Sequence, residues 1–238
     1  MATAVSHGQS SRDACGPNPV WTAGVSPASI DTPGTGQIGS HSRGYLPHLD
    51  APGLVQHVVF RLADSLPKAI LDDLARQQPR ERHGATDAAL DPGYGRRDLG
   101  DLRIAALVQA ALLAFERQRY GLWAWCVMPN HVHVLLRAKS GHPLNSIVHS
   151  WKSYTAKEAS RLLDRTGRFW AREYFDRIVR NDNDLRRTVA YIEANPVKVG
   201  LCKSTEEWPF SSASRWSNGR LSIEKDCRRD AGGPCVGE

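Results

Sequence analysis

The sequence predicts an α+β fold with a largely antiparallel β-sheet. Segments with strand character and segments with helix character follow one another in the order β, α, α, β, β, α, β, α. Two of the strand segments are separated only by Pro129-Asn130, a tight turn that joins neighbouring antiparallel strands. The composition, 41% apolar and 24% charged over 238 residues, is that of an ordinary globular domain with tails.

The first half of the predicted domain contains a strand, two helices and a loop. Residues 54–62 (LVQHVVFRL) are rich in β-branched side chains, which favours a strand. Residues 66–76 are predicted to form a helix, and the polar segment 77–101, which contains Gly and Pro, a loop. Residues 102–120 are predicted to be an amphipathic helix because apolar side chains recur at helical spacing. These apolar side chains are Ile104, Leu107, Val108, Ala111, Leu112 and Phe115.

The second half places two strands around the turn, followed by two helices and a short strand. Residues 122–128 (LWAWCVM) and 131–137 (HVHVLLR) are the two strands. Residues 144–163 carry an apolar stripe and are predicted to be helical, and residues 174–179 to form a short strand. The last helix is predicted at 184–195, where Asn and Asp residues can cap its start and Pro196 ends it.

Composition also divides the chain. Gly, Pro and Ser fill 21 of the first 54 positions, and apolar periodicity is almost absent there. We therefore expect residues 1–44 to be a disordered leader, 45–216 the folded domain and 217–238 a flexible tail.

Charge and cysteine content narrow the function class. The net charge is +6, and residues 137–198 hold 13 basic and 7 acidic side chains. Such a segment suits a polyanion such as DNA, although a solvated helical face explains it equally well. No apolar stretch approaches the roughly 20 residues of a membrane span, and the five cysteines contain no CxxC pair. We expect no membrane association and a cytoplasmic, nucleoid-associated protein.

The strand at 131–137 carries a candidate half of a metal site. Side chains alternate between the two faces of a strand, so His131 and His133 project together while Val132 and Val134 face the other way. We expect the histidine pair on the open face of the sheet, where two imidazoles could bind a divalent cation. The alternative is that the two histidines bind no metal.

The predicted last helix presents a second candidate group. Leu185, Val189 and Ile192 form its apolar stripe, and Arg187, Tyr191 and Asn195 form a separate stripe with i, i+4 spacing. This spacing places a phenol one turn from an amide oxygen, although a tyrosine at the core edge and an asparagine at the helix end explain it as well. With His131 and His133, Asn195 could hold a cation on a phosphodiester while Tyr191 attacks phosphorus.

Several motifs resemble one known family. Residues 125–133 (WCVMPNHVH) resemble the HUH motif of single-tyrosine transposases, and residues 191–196 (YIEANP) resemble the tyrosine helix of the REP-associated tyrosine transposases. Residues 57–61 (HVVFR), 150–156 (SWKSYTA), 169–177 (FWAREYFDR) and 208–212 (WPFSS) support the resemblance in the family's order. It covers roughly residues 45–216.

The resemblance implies a ferredoxin-like antiparallel sheet with helices, the HUH endonuclease fold, and an enzyme that nicks and rejoins DNA. It implies Mg²⁺ or Mn²⁺ as cofactor, single-stranded or hairpin DNA of palindromic repeats as partner, and a monomer or homodimer. By position, His131 and His133 become metal ligands, Asn195 a third ligand and Tyr191 the nucleophile. Tyr154 and Tyr174 are weaker candidates because neither has an asparagine one turn away on its own helix.

Basic and aromatic residues before the last helix predict a DNA surface. We expect Tyr174 to stack on unpaired bases, although Trp170 could equally be core. The predicted DNA-binding residues are Lys152, Arg168, Trp170, Arg172, Tyr174, Arg177 and Arg187. Two alternatives to the tyrosine enzyme stay open: a protein that binds palindromic repeats without cutting, and a metal-dependent hydrolase that uses water.

Overall fold

The computed structural model describes residues 39–42, 47–50 and 53–216. Two short strands, β1 (Gly39–Ser42) and β2 (Pro47–Asp50), form an antiparallel pair. The boundary predicted at residue 44 falls in the connection between them. The other residues of the predicted leader and the whole predicted tail, 217–238, lie outside the described residues.

The central sheet has four antiparallel strands: β3 (Val55–Arg61), β4 (Tyr120–Val127), β5 (His131–Ala138) and β6 (Phe175–Ile178). Their spatial order is β4-β5-β3-β6. The helices are α1 (Lys68–Arg76), α2 (Pro79–Leu90), α3 (Leu102–Leu113), α4 (Leu144–Leu162), α5 (Asp182–Lys198) and α6 (Ser212–Trp216). The succession β3, α3, β4, β5, α4, β6 in this strand order is the ferredoxin-like arrangement, and the predicted fold class is confirmed.

Strand alternation divides the core between the two faces of the sheet. On one face, Phe60 and Val134 belong to a cluster that includes Leu112 of α3 and Trp151 of α4. On the other face, strand residues pack against the apolar stripe of α5. That cluster contains Val55, Ala124, Cys126, Leu135, Leu185, Val189 and Ile192. Since His131 and His133 alternate with Val132 and Val134, they lie on the α5 face.

The loop predicted at 77–101 is wrong over its first half, which forms α2. Pro79 stands at the first position of this helix, where a missing N–H costs nothing. Leu90, at the other end, is 1% exposed and belongs to an apolar cluster with Leu66 and Leu74. The many charges and Gly84 leave this segment without a clear helical pattern in the sequence. The helix is stabilised instead by apolar side chains that pack on α1 and on the sheet.

Helix α5 is longer than predicted at both ends. The side chain of Asn181 caps it by accepting a hydrogen bond of 2.9 Å from the backbone N–H of Asp184. Pro196 does not end the helix, since Val199 N–H still donates to the Asn195 carbonyl at 3.2 Å. Helix α3 is shorter than predicted, ending at Leu113, and β4 begins at Tyr120.

Two predicted stacking residues belong to the core. Trp170 is 4% exposed, donates from Nε1 to Thr155 Oγ1 at 2.9 Å and meets the Phe60 ring edge to face at 4.9 Å. Tyr174 is 8% exposed in the same cluster. The expectation that these rings form a surface for unpaired bases is therefore wrong, because both are covered by neighbours. None of the described helices is long and apolar enough to cross a membrane.

Burial of Trp170 predicts a large loss of stability on truncation. We expect Trp170→Ala to lower the free energy of unfolding by about 3–5 kcal/mol, because it removes a buried ring and leaves a cavity. The exposed Arg172→Ala, two residues away, should change it by less than about 0.5 kcal/mol. Urea denaturation followed by tryptophan fluorescence measures both, and equal effects of the two substitutions would contradict this assignment.

Candidate active site

Three imidazoles lie in contact beneath α5. His131 and His133 come from β5 and His57 from the neighbouring β3, and each is at most 2% exposed. His131 Nε2 is 2.9 Å from His133 Nε2, and His133 Nδ1 is 3.1 Å from His57 Nε2. His131 and His133 share one face of β5, as predicted from the sequence. The expected open face is wrong, because α5 packs over it.

The neighbouring asparagine fixes the orientation of His131. Asn130 donates from Nδ2 to the Leu90 carbonyl at 3.1 Å, so its Oδ1 faces His131 Nδ1 at 2.7 Å. An amide oxygen only accepts, so His131 Nδ1 carries the donated proton. Burial, with a smaller effect of the Lys198 charge, lowers the pKa of His131 to about 3. The ring is therefore neutral, and its Nε2 presents a lone pair to His133.

His133 can complete this network in two ways. With its proton on Nε2, it donates to His131 and accepts from His57. With its proton on Nδ1, it donates to His57, and two nitrogen lone pairs then face each other at 2.9 Å. The second arrangement suits a cation bound by both Nε2 atoms, with His57 and Asn130 supporting the two rings from behind.

Asn195 supplies the only oxygen we assign to this donor set. It is 1% exposed, its Nδ2 is 3.3 Å from His133 Nε2, and its buried Oδ1 has no hydrogen-bond partner among the described residues. Two imidazole nitrogens and an orphaned amide oxygen fit a divalent cation such as Mn²⁺ or Mg²⁺. Within the described residues, no group of three or more His, Cys, Asp or Glu side chains is arranged to hold a metal ion.

Tyr191 lies one turn before Asn195 on the same face of α5. Its half-buried ring meets His133 and His57 edge to face, with centroids 5.9 and 6.3 Å apart. Burial, followed by the nearby Asp87 charge, raises the pKa of Tyr191 well above its ordinary value. The phenol is therefore protonated at neutral pH.

The hydroxyl of Tyr191 is hydrogen-bonded to Asp87 of α2. Tyr191 Oη donates to Asp87 Oδ2 at 3.2 Å, across 104 positions of sequence. The Asp87 side chain is buried, which raises its pKa to about 7, and the hydrogen bond from Tyr191 partly opposes this shift. Asp87 and His57 had no functional assignment from sequence, because each meets the site only through tertiary contact.

A groove of about 500 Å³ opens beside these groups. It is lined by His57, Asp87, Arg177, Arg187, Tyr191 and Lys198, among others. Arg187 and Lys198 are exposed, whereas Arg177 donates to the Asp184 carboxylate at 2.8 and 2.9 Å and to Thr188 Oγ1 at 2.8 Å.

Other predicted DNA-binding residues lie outside this groove. Lys152, Arg168 and Arg172 do not line it. Lys152 Nζ instead donates to the Arg172 carbonyl at 2.9 Å. The structure therefore brings two of the seven predicted DNA-binding residues, Arg177 and Arg187, to the tyrosine groove.

Residues 104–195 match the family model of the IS200-like transposases. Over that segment the chain is similar to those transposases. The matched segment includes His131, His133, Tyr191 and Asn195, whereas His57 and Asp87 precede it.

Two curated proteins that are similar to this chain also have transposase names. The REP-associated tyrosine transposase of Escherichia coli (strain K12) is 28% identical over 110 residues, which are 46% of this chain and 64% of that protein. A putative REP-associated tyrosine transposase of Haemophilus influenzae is 28% identical over 102 residues, 39% of this chain and 58% of that one. The matches thus span less than two thirds of each relative, and the resemblance stated from the sequence is confirmed.

A solved structure of similar fold is a REP-associated tyrosine transposase bound to a REP hairpin. The two share 20% identity with a TM-score of 0.50, over 84% of this chain and 95% of that one. At this identity the likeness shows the fold, and it agrees with the antiparallel sheet and helices described above.

The raised pKa of Asp87 predicts a pH-dependent stability. A carboxyl whose pKa rises from 3.8 in the unfolded chain to about 7 on folding stabilises the protein at low pH. That contribution is lost as pH rises through this window. We therefore expect the free energy of unfolding of Asp87→Asn, relative to that of wild type, to increase by about 1.4 kcal/mol for each unit that the pH rises between roughly pH 4 and 7. Urea denaturation of both proteins across this range measures the difference.

The exposed Glu81→Gln makes the same chemical change on the same helix and is the matched control. A difference between wild type and Asp87→Asn that stays flat with pH would contradict the raised pKa.

Proposed function

We propose that this chain is a metal-dependent single-stranded DNA endonuclease and strand-transferase that forms a covalent phosphotyrosine at repetitive palindromic or hairpin DNA. The observation that carries the proposal is the position of Tyr191 and Asn195 over His131 and His133 within one chain. The names of the relatives, and the REP hairpin bound to one of them, support hairpin DNA as the substrate class.

His131 Nε2, His133 Nε2 and Asn195 Oδ1 are the atoms that would hold Mg²⁺ or Mn²⁺. When bound there, the cation would supply Lewis-acid polarisation of the scissile phosphodiester. Asn130 and His57 hold the two ligand rings in orientation, as outer partners of metal-binding histidines usually do. All of these groups come from one chain, so a monomer contains the complete set.

Tyr191 is the proposed nucleophile. Its Oη forms a bond to phosphorus, the bond from phosphorus to the leaving strand breaks, and that strand keeps a free hydroxyl. The phosphotyrosine conserves the energy of a phosphodiester, so attack by a strand hydroxyl can reverse the step and rejoin DNA.

The groove beside Tyr191 is the proposed path of the DNA backbone. Arg187 is exposed along it and would bind phosphates flanking the cleaved bond. Lys198 is also exposed there but is paired with Asp91, so it adds positive charge to the groove. Arg177 is held by Asp184 and Thr188, so it shapes the groove and adds positive charge there. Lys152, Arg168 and Arg172 would contact a more distant part of a hairpin. Trp170 and Tyr174 are excluded from this set by their burial.

A covalent adduct on hairpin DNA tests the nucleophile. Wild-type protein with Mg²⁺ and end-labelled hairpin DNA should give a labelled protein band on a denaturing gel, and Tyr191→Phe should remove it. Tyr154→Phe is the matched control, because Tyr154 is 53% exposed on α4, on the opposite face of the sheet from α5. An adduct that survives Tyr191→Phe would overturn the proposal.

Other outcomes identify the alternatives. Cleavage without an adduct that persists in Tyr191→Phe would indicate a hydrolase that uses water. Hairpin binding that EDTA does not change, without any cleavage, would indicate a protein that only recognises repeats.

Removal of the metal should separate chemistry from binding. We expect EDTA to abolish the adduct while hairpin binding persists, since exposed basic residues bind phosphates without a cation. In calorimetric titration with Mn²⁺ alone, Asn130→Ala should weaken binding about 10- to 100-fold, because His131 loses the partner that fixes its ring. The exposed Asn183→Ala should leave affinity unchanged. Equal Mn²⁺ affinity of both variants would refute this metal site.

A further inference from the structure

We infer that Asp87, contributed by α2, is a catalytic residue that accepts the phenol proton of Tyr191 as the phosphotyrosine forms. The inference rests on the proposed function, because it requires Tyr191 to be the nucleophile. It concerns a helix that lies before the segment matched by the transposase family model.

The position of Asp87 singles it out among the carboxylates around Tyr191. Its Oδ2 is 3.2 Å from Tyr191 Oη, a direct hydrogen bond from the hydroxyl that would react. Asp184, which also lines the groove, is engaged by Arg177, and Asp91 is paired with Lys198 at 2.6 Å. Asp87 is therefore the carboxylate placed to take this proton.

The proton-transfer step balances without any further reagent except water. The Tyr191 O–H bond breaks, its proton goes to Asp87 Oδ2, and the oxygen electron pair forms the bond to phosphorus. The bond from phosphorus to the leaving strand breaks, and the released oxygen takes a proton from water. In rejoining, the strand hydroxyl loses its proton to water and its oxygen forms the bond to phosphorus. Protonated Asp87 returns its proton to the phenol oxygen as the bond from that oxygen to phosphorus breaks.

The surroundings of Asp87 shift its pKa into the range that suits this proton exchange. Burial raises its pKa to about 7, which places it near neutral pH, where a base can both accept and return a proton. Among the described residues, Tyr191 and Lys198 from α5, Arg177 from β6 and Asp91 at the end of its own helix also shift the pKa of Asp87. His57 lines the same groove. Asp91 raises the pKa, whereas Tyr191, Lys198 and Arg177 lower it.

The test compares Asp87→Asn with Glu81→Gln in the 238-residue chain. Asn keeps the size of the side chain but cannot accept a proton from the phenol, whereas Glu81 is exposed on the same helix. With protein in excess over hairpin DNA and with Mg²⁺ present, we expect Asp87→Asn to slow adduct formation about 100-fold. Its hairpin affinity should stay within about twofold of wild type, and Glu81→Gln should match wild type in both measurements.

A pH profile separates proton acceptance from a purely structural role. The wild-type rate should rise with pH up to about pH 7, and this dependence should flatten in Asp87→Asn. Asp87→Glu keeps the carboxylate, so it should recover part of the rate and the pH dependence. This second variant also carries the test if Asp87→Asn does not fold, as judged by circular dichroism.

The outcomes separate this inference from the proposed function. No Tyr191 adduct in wild type would refute the proposed function itself. A wild-type adduct whose rate is unchanged in Asp87→Asn would refute only the role of Asp87. A faster rate in Asp87→Asn would also refute it, since Asp87 would then restrain the phenol.

Discussion

The packing of α5 on the histidine face of the sheet is the contact on which this site depends. Leu185, Val189 and Ile192 bury the apolar stripe of the helix against the strands. Because 3.6 residues make one turn, this contact also fixes where Tyr191 and Asn195 point. Buried polar contacts secure the placement: Glu193 of α5 accepts from Ser212 Oγ at 2.9 Å, and that hydroxyl also bonds the Trp125 backbone in β4. The same apolar contact therefore stabilises the fold and assembles the candidate active site.

This arrangement costs stability at identifiable positions. A buried amide oxygen that has no partner within the described part of the chain, as at Asn195, costs about 1–3 kcal/mol. A carboxyl buried deeply enough to raise its pKa, as at Asp87, adds to that cost at neutral pH. Both groups lie around Tyr191 and His133. Two groups that lower the stability of the fold therefore lie close together, and such clustering is expected where a site is organised for a ligand or a reaction.

Sequence periodicity predicts which side chains share a face, and it does so correctly for the two histidines of β5 and for Tyr191 with Asn195 on α5. It does not say what covers that face, so the expected open surface is wrong. Trp170 stands among arginines in sequence, yet Phe60 and Thr155, both far away along the chain, decide its burial. Asp87 lies in a charged segment without a clear apolar period, and only tertiary contact reveals its helix and its partner. Local pattern thus predicted the four strands of the central sheet, helices α1, α3, α4 and α5, and half of the site, whereas long-range contacts determined α2 and the rest.

Helix α2 links the two halves of the site. Asp87 contacts the hydroxyl of Tyr191, and one turn later the Leu90 carbonyl accepts from Asn130, which in turn orients His131. Leu90 is itself anchored in an apolar cluster, so the carbonyl that fixes Asn130 is held by core packing. The groups that would hold a cation and the group that would receive the phenol proton are therefore coupled through a single helix. A displacement of α2 would disturb both at once, which makes this segment, although it precedes the matched transposase segment, part of the candidate active site.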